Sequence, residues 1–306
     1  MGDGLAIGFV GFGEAAYHIA KGLRQPGIDG IAAYDIHANT PGLGERIRQR
    51  AAETAARLVP SNEELIGSCE IVLSTVTSNQ AACAAGQNAP FLHPGQLYAD
   101  LNSVSPALKQ SIARTIGATG AGFVEVAVMA PVPPYGHRVP MLAGGASAPV
   151  FAERMTPFGM QIEVAGPEVG VAAATKMFRS IVVKGLEALM TECVLGASRY
   201  GAESRVFASL AESFPGIDWP ALADYMVGRV VVHGERRARE MEEVAETLRA
   251  LEIEPIMAEA TARRMDWSAQ MGLKARFQGE APRSYREVVE ALRADSPRPL
   301  LPAPEF

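Results

Sequence analysis

Cysteine is scarce in this chain of 306 residues: Cys69, Cys83 and Cys193 stand far apart and form no C-x-x-C pair. Such usage argues against a disulfide framework and fits a reducing compartment. Positive charge is in deficit, with 28 lysines and arginines against 34 aspartates and glutamates and a net charge of −6. That argues against a nucleic-acid binder, which normally shows a basic balance. Long uncharged apolar runs are missing too. The most apolar stretch, around residues 169–198, carries Lys176, Arg179, Lys184, Glu187 and Glu192, too many charges for a membrane span. The apolar run Leu5–Val10 has no basic leader and is broken by glycines, so it does not read as a secretory signal. No second histidine, cysteine or carboxylate stands at metal-ligand spacing near His233. These absences leave the expectation of a cytoplasmic protein that uses no metal, nucleic acid or membrane.

What is present is ordinary for a globular protein: 48% apolar and 20% charged residues, in a chain long enough for two cores. Strand patterns fall at Leu5–Val10, Ile31–Asp35, Ile71–Thr75, Gln96–Asp100, Phe123–Val128, Met141–Ala143 and Gln161–Val164. Helical patterns lie between them, near Glu14–Arg24, Glu45–Ala55, Asn62–Gly67, Asn79–Ala89, Pro106–Ile116 and Pro149–Met155. This alternation predicts a parallel sheet covered on both faces. Ser61-Asn62-Glu63-Glu64 reads as a capping box, with Ser61 capping the helix start and Glu64 reaching back. After Val164 strand signals stop, and helices are expected near Ser204–Ser213, Trp219–Val230, Glu235–Leu251, Ile256–Met271 and Tyr285–Arg293. The predicted organisation is residues 1–165, then an all-helical domain 166–295 opened by a long interdomain helix at about 168–199, then a proline-rich tail 296–306.

One turn carries chemistry. Gly8-Phe9-Val10-Gly11-Phe12-Gly13-Glu14-Ala15-Ala16 follows a strand, opens a helix and matches G-x-G-x-x-G/A. Gly11 permits the tight turn, Gly13 lets a pyrophosphate approach the backbone, and Ala16 allows close packing of helix on strand. The N–H groups at the helix start, from Phe12 through Glu14 and Ala15, favour phosphate. Asp35 ends the next strand, where a carboxylate accepts from a ribose 2′-OH and repels a 2′-phosphate. Thr75, Val76 and Asn102 close later strands and are placed at the same cofactor. The pattern predicts NAD in preference to NADP, with NADP still possible, on an α/β Rossmann-type N-terminal domain followed by an all-α C-terminal domain. An ordinary tight turn with a surface aspartate is the competing reading.

From about Leu5 to Leu195 the order of elements and motifs resembles the β-hydroxyacid dehydrogenase family, which includes 3-hydroxyisobutyrate and 6-phosphogluconate dehydrogenases. Asp100-Leu101-Asn102-Ser103-Val104-Ser105-Pro106 is similar to the family's D-x-S-[ST]-x-x-P segment, with Asn102 at its first serine. The resemblance implies that Asn102 and Ser103 lie beside nicotinamide and substrate. Ser105 and Pro106 also suit a helix start. Gly170-Val171-Ala172-Ala173-Ala174-Thr175-Lys176 is similar to G-x-G-x-x-x-K, with Ala172 in place of the second glycine. In that family the lysine moves the proton at the carbon exchanging hydride, so Lys176 is the implied general acid-base. A lysine lying along a helix surface is the plainer reading of spacing alone.

The sequence also departs from the family. Two asparagines usual after the lysine are here Arg179 and Ser180, and the glycine-rich substrate loop reads Met129-Ala130-Pro131-Val132-Pro133-Pro134-Tyr135-Gly136. Prolines remove N–H donors, so the pocket at Met129 is expected to differ in shape. Arg179 then becomes a candidate to hold an anionic substrate group, or else to form an ion pair. His233, Arg236, Arg237 and Glu240 fall on one helix face, which either closes an active site, from a partner subunit if the chain is a homodimer, or is a solvated ion-paired face. This half resembles an uncharacterised C-terminal domain found on phosphogluconate-dehydrogenase-like proteins. The implied activity is NAD-linked oxidation of a β-hydroxy acid; imine reduction and NAD binding without turnover are the alternatives.

Overall fold

The computed structural model describes residues 4–25 and 28–294. The tail 296–306 lies outside the described residues. The chain divides into two compact units between Lys176 and Met177, later than the shift in composition at residues 165–166.

The first unit opens with β1 (Leu5–Val10), α1 (Glu14–Leu23), β2 (Ile28–Tyr34), α2 (Leu43–Thr54), β3 (Arg57–Leu58), α3 (Asn62–Gly67) and β4 (Ile71–Ser74). It continues through α4 (Ala81–Asn88), β5 (Leu97–Asp100), α5 (Pro106–Gly117), β6 (Gly122–Val128), α6 (Val132–Tyr135), β7 (Met141–Gly144), α7 (Ala148–Met155) and β8 (Ile162–Gly166). The strands form one sheet in the order β3-β2-β1-β4-β5-β6-β7-β8. Period-two alternation sorts its side chains into two layers. Ile7, Phe9, Leu73 and Val124 pack with Ile19, Leu23 and Phe151 on one face, and Val10, Val72, Tyr98 and Phe123 with Leu65, Ile112 and Ile116 on the other. In α1 the buried residues Ala16, Ile19, Ala20 and Leu23 repeat at helical spacing, so one stripe meets the sheet.

The sheet is not wholly parallel as expected. β7 pairs antiparallel with β6, Val128 opposite Met141, and β8 runs parallel to β7. Between them Pro131, Pro133 and Pro134 allow only the four-residue α6, too little for a crossover helix, so the chain turns back. Two capping expectations separate. Ser61 accepts from the Glu64 N–H at 3.1 Å, but the Glu64 carboxylate binds Arg57 rather than reaching back. Ser105 caps α5 by accepting from Leu108 N–H at 3.3 Å.

α8 (Val171–Ala197) begins in the first unit and runs on into the second. The second unit adds α9 (Glu203–Ser213), α10 (Trp219–Ala250), α11 (Ile256–Gln270), α12 (Leu273–Arg276) and α13 (Tyr285–Ala294). Val194, Phe207, Val227, Val231, Tyr285 and Val288 form its larger core. The two helices expected at residues 219–230 and 235–251 are one helix of 32 residues. Val231-Val232-His233-Gly234 is a weak helical run by propensity. Its glycine instead serves packing: a Cβ on Gly234 would stand 2.8 Å from the Met265 carbonyl oxygen and 3.2 Å from Ser268 Cβ, so α11 crosses α10 at that point.

Candidate active site

The end of β1 delivers the glycine turn. Gly11 has φ +81°, and a Cβ there would lie 2.9 Å from Val76 and 3.0 Å from the Thr75 carbonyl oxygen. Glycine is therefore required by both conformation and space. The Thr75 hydroxyl donates to the Gly11 carbonyl at 2.8 Å. Asp35, just past β2, accepts the Phe12 N–H on Oδ2 and the His37 N–H on Oδ1, both at 2.8 Å. The acid is thus tied to the glycine turn itself. At Gly13 a Cβ would meet nothing within 4 Å, and α1 begins there without a side-chain cap. Glu14 and Ala15 occupy its first turn, where backbone N–H groups and the positive end of the helix dipole attract an anion. Gly11, Phe12, Gly13, Glu14, Ala15, Asp35, Thr75 and Val76 are gathered at one edge of the sheet. A carboxylate for a ribose, an uncapped helix start for phosphate and open space over Gly13 fit a nicotinamide dinucleotide.

Further along the same edge, β5 leads into the Asn102–Ser103 segment. Asn102 is only 4% exposed. Its Nδ2 donates to Ser74 Oγ at 3.0 Å and to Asp100 Oδ1, and its backbone N–H to the same Oδ1 at 3.1 Å. The carboxylate accepts only, so it orients the amide and leaves Asn102 Oδ1 buried with no hydrogen-bond partner among the described residues. A buried acceptor of this kind suits the carboxamide of a nicotinamide ring. Beneath it, Lys109 of α5, 1% exposed, pairs with Asp100 Oδ2 at 3.0 Å and donates to the Asp100 carbonyl at 2.6 Å. Burial pulls the Lys109 ammonium below the usual lysine range, and the charges of Asp100 and Glu125 pull it back up.

Lys176 stands in the second turn of α8, and its Nζ donates to Ser103 Oγ at 2.6 Å. Two motifs 73 residues apart in sequence thereby meet in space. The half-buried lysine and the exposed serine leave the pair open to a ligand. The start of α8 is held by a residue that sequence reasoning missed. Glu125 of β6, 0% exposed, accepts from Gly170 N–H at 2.7 Å and Ala172 N–H at 3.0 Å on Oε1, and from Ala173 N–H at 3.4 Å on Oε2. Its signal was a lone carboxylate inside the apolar strand Phe123-Val124-Glu125-Val126-Ala127, because a charge on a buried strand must find partners. Lys109 was missed likewise, though it shares a helical face with the buried Ile112 and Ile116. Met129, after β6, packs against Ala127, Leu142 and Ala172.

The remaining candidates belong to the second unit. One turn beyond Lys176 along α8, Arg179 is exposed and Ser180 half-buried. Arg236 of α10 is paired with Glu240, whose other oxygen binds Lys184 at 2.7 Å. Arg237, expected on the same face as Arg236, is buried and pairs instead with the buried Glu187, which also binds Arg229 at 3.0 Å. His233 lines an open cavity of about 440 Å³ with Tyr225, Arg229, Pro282 and Arg283. Burial, then the cations Arg236, Arg229 and Lys274, hold its imidazole below the usual histidine range.

Residues 6–148 match the family described as the NAD binding domain of 6-phosphogluconate dehydrogenase, and residues 197–268 match a domain of unknown function, DUF1932. A conserved hypothetical protein from Sinorhizobium meliloti 1021 is 38% identical, with a TM-score of 0.82 over 95% of this chain and 96% of that one. A conserved protein of unknown function, described as structurally similar to 3-hydroxyacid dehydrogenases, is 32% identical, with a TM-score of 0.75 over 90% of this chain and 100% of its own. The 3-hydroxyisobutyrate dehydrogenase of Mycobacterium tuberculosis, solved with L-serine, shares the fold at 15% identity, with a TM-score of 0.71 over 95% and 99% of the two chains. The glycine turn and the helical half thus each find their counterpart: this chain joins the NAD binding domain of 6-phosphogluconate dehydrogenase to a DUF1932 domain, and it belongs to one family with these two conserved proteins.

Proposed function

We propose that the protein is an NAD-dependent dehydrogenase that oxidises the hydroxyl of a β-hydroxy acid, with Lys176 as the general acid-base. The observation that carries this reading is the 2.6 Å contact between Lys176 Nζ and Ser103 Oγ, on the same sheet edge as the glycine turn and Asp35. The contact shows an oxygen already seated within proton-transfer distance of the amine. Bound dinucleotide supplies the hydride acceptor. The chain's own residues then have separate tasks. The Ser103 hydroxyl orients the substrate hydroxyl beside Lys176. The lysine, as free amine, takes that hydroxyl proton on Nζ while the carbon loses its hydride, and returns it in the reverse direction. Asn102, held by Ser74 and Asp100, would offer its Oδ1 as an acceptor to the nicotinamide carboxamide. Arg179, one turn along α8, binds the substrate carboxylate through its guanidinium. Asp35 favours NAD by bonding the ribose 2′-OH and repelling a 2′-phosphate.

Nicotinamide absorbance followed over a panel of β-hydroxy acids, bulky and aromatic ones included, tests this reading. NAD-dependent turnover is expected, falling about a thousandfold or more in Lys176→Met with NADH affinity unchanged, and Arg179→Gln is expected to raise KM for the acid. Turnover retained in Lys176→Met would remove the lysine from the mechanism. Silence across the panel together with tight NADH binding would favour imine reduction, with NAD binding without turnover next.

A further inference from the structure

We infer that Glu125 is a positioning residue, whose buried carboxylate clamps the first turn of α8 onto β6 and so sets the reach of Lys176 to Ser103. The inference rests on the role given above to Lys176.

α8 begins after Gly170, which has no side chain with which to cap the exposed N–H groups of the first turn. Glu125 supplies the missing acceptors: the Ala172 and Ala173 N–H groups of that turn, and the Gly170 N–H just before it, end on its two oxygens, at 3.0, 3.4 and 2.7 Å. Its charge also complements the positive end of a 27-residue helix. The clamped residues are the ones that matter for direction. Ala172 and Ala173 precede Lys176 by four and three residues, so they share its side of the helix. Lys176 lies about 9 Å along the axis from Gly170, close enough that a tilt or twist of the first turn moves Nζ off Ser103.

The surroundings are shaped for the carboxylate. A Cβ on Gly144 of β7 would stand 2.5 Å from Glu125 Oε1, so glycine there leaves it room. Gly170, at φ +113°, makes the turn that brings its N–H to the same oxygen. On the serine side the buried Lys109 pairs with Asp100, which orients Asn102 ahead of Ser103, and the charge of Glu125 favours the ammonium form of that lysine.

Two variants approach the clamp differently. Glu125→Gln keeps the volume and removes the charge, and Gly144→Ala keeps the charge and displaces the carboxylate. Hydrogen exchange of the full-length protein is expected to show the amides of Gly170, Ala172 and Ala173 exchanging about tenfold faster in both variants. In the same variants kcat is expected to fall about ten- to a hundredfold, with NADH affinity unchanged and the lysine limb of the kcat pH profile displaced. Amides that exchange as in the wild type would overturn the clamp. Faster exchange with an unaltered kcat and pH profile would leave Glu125 a structural cap and overturn its positioning role. Turnover persisting in Lys176→Met would bring down the lysine reading, and the positioning role with it, while the exchange data would still show the cap.

Discussion

At the scale of single residues, the glycine turn was legible because each of its positions has a local physical requirement. Gly11 needs positive φ, Gly13 leaves open space where a pyrophosphate would approach, and the acid must follow the next strand. What the pattern did not convey is that Asp35 already holds the turn through the Phe12 N–H. This gives a residue-scale prediction. Asp35→Ser should narrow the preference for NADH over NADPH by about tenfold, some 1.4 kcal/mol, as the repulsion of a 2′-phosphate disappears. It should also weaken NADH somewhat, because the Phe12 N–H loses its acceptor. Isothermal titration of both nucleotides decides it, and an unchanged ratio would free Asp35 of any part in selectivity. Glu125 and Lys109 were not legible in the same way. A charged side chain on an apolar element announces that a partner exists, and only the tertiary structure says which. The partner of Lys109 is Asp100, and the partner of Glu125 is the start of α8.

At the scale of elements, strands and helices of the first unit followed their periodicities closely, β1 and α3 to the residue. The misreadings fall where packing overrides local preference. β3, α6 and α12 have two to four residues each, too few for any period to show. The break expected near Gly234 is absent because that glycine is a crossing point of two helices rather than a helix end. Gly234→Ala should therefore destabilise the protein, although alanine is the better helix former. Forcing a methyl group against the Met265 carbonyl costs about 1–3 kcal/mol, against the roughly 1 kcal/mol that alanine contributes through propensity. Urea unfolding measures the difference, and a variant more stable than the wild type would refute the close crossing of α10 and α11. The ion pairs of Glu187 with Arg229 and Arg237 belong to this scale too. Spacing placed Arg237 beside Arg236 on one polar face, but its burial against α8 made it a partner of the buried glutamate.

At the scale of the whole chain, binding and chemistry are assigned to different residues, and this has a measurable consequence. NADH at a hundredfold its Kd should stabilise the fold by about 2.7 kcal/mol, raising the unfolding temperature by roughly 4–8 °C. Lys176→Met should show the same rise, because the glycine turn and Asp35 are intact in it. Calorimetry that found no rise in either protein would count against the dinucleotide site itself. The sequence by itself determined the class of each unit, the dinucleotide turn and the separate motifs around Ser103 and Lys176. These depend on periodicity, on glycine's conformational freedom and on capping, which act over a few neighbouring residues. Only the tertiary structure decided that β7 reverses direction, that Glu125 caps α8 and that Lys176 lies 2.6 Å from Ser103. Those outcomes come from residues tens of positions apart competing for the same buried space and the same hydrogen-bond partners, and no local pattern records which of them meet.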